Sequence, residues 1–153
     1  MKTLEESLNI ADIHADRMEC ASREIGFPIS VQRLANFSLH ELGILELYIG
    51  RFARLQDQLG RKVFPLLLKD LGDFDETMSF RDILSKLEKL EIIESSEEWS
   101  EVREIRNDIS HEYPDDHEKM ADALNKSYQK RYVLLDCLRS VNAVAAKLKE
   151  QQK

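Results

Sequence analysis

Apolar residues return every three or four positions along almost the whole chain, and nowhere do they alternate one-for-one with polar ones. That spacing paints one face of a helix, because 3.6 residues complete a turn, whereas a half-buried strand needs a period of two. Leu4, Leu8, Ala11, Ala15, Met18, Ser22 and Ile25 form the first such line, and Gly26 and Pro28 stop it. A second begins near Ser30 and runs through Val31, Leu34, Ala35, Ser38, Leu42, Leu45, Ile49 and Phe52. Ile44, Leu47 and Tyr48 make it apolar on several sides, which suits either a central core helix or one that also forms a subunit interface. Gly60 and Pro65 then interrupt a pattern through Leu59, Val63, Phe64, Leu67, Leu68 and Leu71, predicting a kink or a short separate helix before Gly72.

Two further starts carry the spacing of a capping box. Ser79 with Asp82 precedes Phe80, Ile83, Leu84, Leu87 and Leu90, and Ser95 with Glu98 precedes Trp99, Val102, Ile105 and Ile109. Pro114 is expected to end the latter helix by excluding helical backbone at Tyr113. A last helix is expected from about Asp116 to Lys149, with Met120, Leu124, Tyr128, Leu135, Leu138, Val141, Ala145 and Leu148 inward. The fold class is therefore all-α: an up-and-down bundle of four long helices plus one or two short ones, forming a single domain over residues 1–153. Five Gly and three Pro leave too few turns for a many-stranded sandwich or barrel.

Composition narrows the function classes. A length of 153 residues with 42% hydrophobic and 33% charged side chains is that of an ordinary globular domain. Cys20 and Cys137, far apart in apolar patterns, read as buried free thiols of a reducing cytoplasm. The amino terminus, MKTLEESLNIADIHAD, carries acids where a signal peptide needs basic and then apolar residues, and no apolar run approaches a membrane span. A cytoplasmic protein without a membrane partner is expected. No CxxC, HExxH, P-loop or GxGxxG pattern occurs, so neither a metal nor a nucleotide cofactor is expected. Twenty-two basic against 29 acidic residues give a net charge of −7, which argues against general affinity for DNA or any other phosphate backbone.

The chemistry concentrates in residues 103–114, REIRNDISHEYP. Asn107 and His111 are four apart, so on a helix the amide could fix the imidazole's tautomer and aim. Arg106, five before His111, lies about 140° away around a helix axis and would meet it only at a groove edge, for instance across a twofold axis. Histidine can take a proton from a ribose 2′-hydroxyl or give one to a departing 5′-oxygen, while a guanidinium stabilises the charge gathering on phosphorus. Such help is worth about 10² to 10⁴ in rate from the acid-base group and about 10² to 10³ from one charge-stabilising donor. The same Arg and His near a helix carboxyl end would also suit simple capping and dipole interactions.

Arg106, four intervening residues, His111, one residue and Tyr113 resemble the RX4HXY motif of the HEPN superfamily, in particular the HepT toxins of HepT–MntA toxin-antitoxin pairs. The polar Asn107 after the arginine and the place of the motif on the penultimate long helix fit that pattern, and residues 54–64 are similar to bacterial proteins of the group. The resemblance implies a homodimeric toxin ribonuclease that cuts cellular RNA without a metal, its motifs meeting in a cleft between subunits. It implies catalytic roles for Arg106 and His111, a supporting role for Asn107, and Tyr113 as the site where an MNT-type nucleotidyltransferase antitoxin adds AMP. The alternative is a non-catalytic companion, substrate-binding subunit or antitoxin of a nucleotidyltransferase, and a helical adaptor is a third.

Other candidates carry weaker expectations. His117 with Asp115, Asp116 and Glu118 reads as helix-start caps rather than a metal cluster; His40 and His14 read as half-buried polar residues, and Trp99 as core or interface. Arg51, Arg54, Arg61 and Lys62 could hold RNA phosphates. Residues 51–62 sum to +3, four basic against Asp57, and residues 119–131 also sum to +3, four basic against Asp122. Residues 94–104 sum to −4 (five Glu against Arg103), and Asp115, Asp116 and Glu118 add −3, so a dipolar surface with local, salt-dependent RNA binding is expected.

Overall fold

In the computed structural model, which describes residues 2–111 and 115–152, every regular element is helical. The elements are α1 (Leu4–Ile25), α2 (Val31–Ala35), α3 (Leu39–Gln58), a π-helical turn (Leu59–Val63), α4 (Phe64–Leu71), α5 (Phe80–Lys89), α6 (Ser96–Ser110) and α7 (His117–Gln151). Four are long, as the periodicity predicts, and three rather than one or two are short.

Side chains at the starts set these boundaries by accepting the otherwise unpaired first-turn N–H groups. Thr3 caps α1 through Glu6 N, Ser95 caps α6 through Glu98 N, and Asp116 caps α7 through Lys119 N. Ser79 and Asp82 form a reciprocal capping box at α5. A second box, Ser38 with Glu41, opens α3 and corrects the expectation of one continuous helix from Ser30: the chain stops at Asn36 and restarts at Leu39. Arg33 donates to the carbonyls of Ile25, Gly26 and Pro28, closing the end of α1 over Gly26, whose φ of 73° lies in the region that favours glycine. At the Gly60–Pro65 interruption the helix widens for one turn, with Phe64 N–H reaching back to Leu59 O. Pro65 has no N–H to continue the ordinary ladder.

Cross-links give the topology. Ser7 pairs with Gln58 and His14 with Arg51, so α1 and α3 run antiparallel. Glu19–Arg131, Asp12–Asn142 and Glu5–Lys149 make α1 and α7 antiparallel, and Glu98–Tyr132 with Glu101–Lys130 does the same for α6 and α7. The four long helices thus alternate up and down, with α2, α4 and α5 on the connections. The core they share is centred on Met18, Tyr48, Phe52, Leu59, Phe64 and Trp99, each below 2% exposed. Tyr48 donates to Ser127 at 2.8 Å, since the Ser127 hydroxyl itself donates to Leu124 O.

Several expected core positions are not buried. Val31, Leu42 and Leu90 are exposed, and Leu39 (87% exposed), Leu42 and Leu47 leave α3 partly apolar outside. Cys137 is buried but Cys20 is exposed, so only one of the two thiols is a core residue. No helix among the described residues is long and apolar enough to cross a membrane.

Candidate functional site

α6 carries the first part of the motif, Arg106 and Asn107, close to its end. Ser110 Oγ donates back to Arg106 O at 2.8 Å, one turn earlier on the helix. The helix stops at Ser110, because His111 is already extended (φ −80°, ψ 145°) and its N–H turns back to Asp108 O. The end therefore comes before the position that Pro114 would impose, and His111 has left the helical register that made it a one-turn neighbour of Asn107. Tyr113 and Pro114 lie outside the described residues. Asn107 instead serves Arg106: its Oδ1 accepts from Arg106 Nη1 at 3.1 Å.

Arg106 crosses to α3, where Nη2 donates to Asp57 Oδ2 at 2.9 Å. The side chains of this pair are 29% and 40% exposed, so the charges are shielded without being sealed from water. Both ends of the guanidinium fork are thus held, one by each neighbour, and its flat face and Nε edge are set in place. Asp57, like the cleft residue Gln56, is a site member that sequence reasoning missed. It lies 49 positions away, and its one sequence signal is that it is the lone acid in the basic run 51–62.

Around this pair is a cleft of about 320 Å³ between the α3–π junction, Phe80 and α6. Arg61 and Arg103 join Arg106 in its lining, giving three cations against Asp57. The buried side chains Gln56 and Trp99 form its inner end. Gln56 Oε1, Trp99 Nε1 and Arg106 Nε have no hydrogen-bond partner among the described residues. A larger cleft of about 520 Å³ also borders Trp99, lined by Glu88, Glu91, Glu94, Glu98 and Asp136 among others. Five carboxylates repel phosphate, so of the two clefts the smaller, with three arginines, has the charge that suits an anion.

The basic run is divided among three places. Arg61 reaches the motif cleft, and Lys62 lines a separate groove that also contains Arg61, Lys2 and Lys69. Arg51 donates to His14 Nδ1 at 3.0 Å, and Arg54 stands near the same ring. Burial first, then the charges of Arg51 and Arg54, hold the His14 pKa below its ordinary value, so the ring is neutral at pH 7. His14 is half-buried as expected, whereas His40 is exposed. Asp116 acts as the cap of α7, and among the described residues no group of three or more His, Cys, Asp or Glu side chains could hold a metal ion. Trp99 is 1% exposed, packed at a tilt of 53° against Phe64 with ring centroids 4.9 Å apart, and belongs to the core.

No family model, curated protein or solved structure matches this chain.

Proposed function

We propose that this chain is a metal-independent endoribonuclease of the HEPN type, a toxin that acts as a homodimer and is restrained by a nucleotidyltransferase partner. The observation that carries the reading is the motif cleft, where Arg61, Arg103 and Arg106 converge in a protein whose net charge is −7. A polyanion can bind such a chain only where cations are concentrated, and here Arg61 and Arg103 line one cleft with the motif's Arg106. Exposed Leu39, Leu42 and Leu47 along α3 support a second copy as partner.

In the proposed reaction His111 takes the proton of a ribose 2′-hydroxyl, the 2′-oxygen bonds to phosphorus, and the bond from phosphorus to the 5′-oxygen breaks. The departing oxygen receives a proton, either from the same imidazole or from its copy in the second subunit. Arg106 stabilises the charge that develops on the phosphoryl oxygens, and Asn107 and Asp57 keep its fork aimed. Restraint comes when the partner transfers AMP from ATP to the Tyr113 oxygen, releasing pyrophosphate.

Expression in cells separates this reading from that of a non-catalytic companion or antitoxin. Wild-type protein should arrest growth, and Arg106→Ala and His111→Ala should not. Unimpeded growth with wild type, at verified expression, would favour the companion. Mass spectrometry after incubation with the partner and ATP should find added AMP that Tyr113→Phe abolishes.

A further inference from the structure

The motif cleft has two chemically different ends. Its mouth is cationic and open, with Arg61 and Arg103 exposed. Its inner end is polar yet sealed: Gln56 is 5% exposed and Trp99 1%, and both carry a polar atom with no partner among the described residues. Orphaned buried groups cost stability, so each calls for a partner, and a polar ligand in the cleft would supply one. One orphan, Gln56 Oε1, is an acceptor, and two, Trp99 Nε1 and Arg106 Nε, are donors. Between inner end and mouth stands the half-buried Phe80 ring, with the Arg103 guanidinium 5.6 Å from its centroid. The ring packs beside Gly60, where a Cβ would lie 3.4 Å from it, an ordinary contact distance.

A ligand matching this gradient is flat, carries both donors and acceptors on its edge, and bears an anion at its far end. A free phosphate has no use for an aromatic wall or an amide. A metal ion would face three arginines. A nucleotide has each of the required parts, and base stacking on an aromatic side chain is a recurrent means of holding single-stranded RNA. We infer that the cleft binds one nucleotide, its base against Gln56, Trp99 and Phe80 and its phosphate at Arg61 and Arg103, so that the nucleotide beside the cleaved bond is selected by its base. The inference deepens the ribonuclease reading and rests on it for the role of the nucleotide in cleavage, but not for its binding.

Trp99 is the one tryptophan of the chain, so its emission reports on the site directly. The test titrates full-length protein with each of the four nucleoside 3′-monophosphates and with inorganic phosphate. The expected result is a saturable emission change, dissociation constants that differ among the bases by about threefold or more, and phosphate weaker by about tenfold or more. Gln56→Leu should flatten the differences among bases, with a loss of about five- to tenfold for the preferred one. Arg61→Ala should weaken all four alike. If Gln56→Leu does not fold, as judged by circular dichroism, Phe80→Ala decides instead, with an expected loss of about tenfold in nucleotide affinity and little in phosphate affinity. Equal constants for the four bases, phosphate binding as tight as nucleotide, or no binding would each overturn the inference. Cleavage of RNA without nucleotide binding would refute the base site and leave the ribonuclease standing. Base-selective binding without cleavage would leave the site standing and refute the ribonuclease.

Discussion

Replacing Asp57 separates the two things that its carboxylate does for Arg106. The ion pair is short, 2.9 Å, but its members are 29% and 40% exposed. Two unit charges about 4 Å apart attract by about 1 kcal/mol in water and by about 4 kcal/mol at the effective dielectric of a protein surface. Solvent access on both sides and the entropy of holding two side chains bring the net value down to about 0.5–1 kcal/mol. Asp57→Ala should therefore lower unfolding stability by about that amount, and Asp57→Asn by less, because an amide oxygen can still accept from Nη2. In a double-mutant cycle with Arg106→Ala the coupling should be about 0.5–1 kcal/mol, and additivity within about 0.3 kcal/mol would refute a working pair. The effects on cleavage should divide. Removing the one carboxylate among three lining arginines raises the positive charge of the cleft, so KM for RNA should fall. Loss of the group that aims the guanidinium should lower kcat by about tenfold in Asp57→Ala and less in Asp57→Asn. An unchanged kcat in Asp57→Ala, or a KM that rises, would show that the aspartate does not position Arg106.

Other expectations follow from the buried network and the titrating groups. Tyr48→Phe removes the hydroxyl that donates to Ser127 while Ser127 keeps its bond to Leu124, so the cost should be about 1 kcal/mol in denaturant unfolding; a neutral result would mean that the bond contributes nothing net. His14 has a lower pKa folded than unfolded, so the unfolded state binds its proton first as pH falls: stability is fully present above about pH 6.5 and is lost as pH drops through the folded value. His14→Gln should make the melting temperature less sensitive to acid over that window, and an unaltered pH dependence would contradict the burial argument. A thiol reagent should modify exposed Cys20 in the native protein and Cys137, pushed up to about 12 by burial, only on unfolding; native labelling of Cys20→Ser would be inconsistent with this core.

Local physics was legible in the chain and distant pairing was not. The helix lines through Leu4 to Ile25 and Trp99 to Ile109 are buried as their period requires, because an amphipathic stripe encodes its own exposure. The break before α3 is written in the sequence too, as Ser38 and Glu41, but the apolar spacing runs straight across it and hides it. Where α6 stops could not be read from Pro114, since a proline sets the latest place for a helix to end and not the earliest. Cys20 falls between Met18 and Ser22, off the buried stripe of α1, and Leu42 lies on the expected core line of α3 yet is exposed, one turn past the capping-box break that the apolar spacing hides. Of the site, Arg106, Asn107 and Arg61 were recognisable from residue type and spacing. The contributions of Asp57, Gln56 and Trp99 come from packing α3 against α6, and no local pattern announces a contact across 49 residues.

The most direct test of the account is cleavage of defined single-stranded RNA by the purified chain in excess chelator. The expected outcome is the same rate with and without chelator, with Arg106→Ala and His111→Ala each slower by about 10² or more while remaining folded. Intact RNA with the wild-type protein, or cleavage undiminished in both variants, would contradict it.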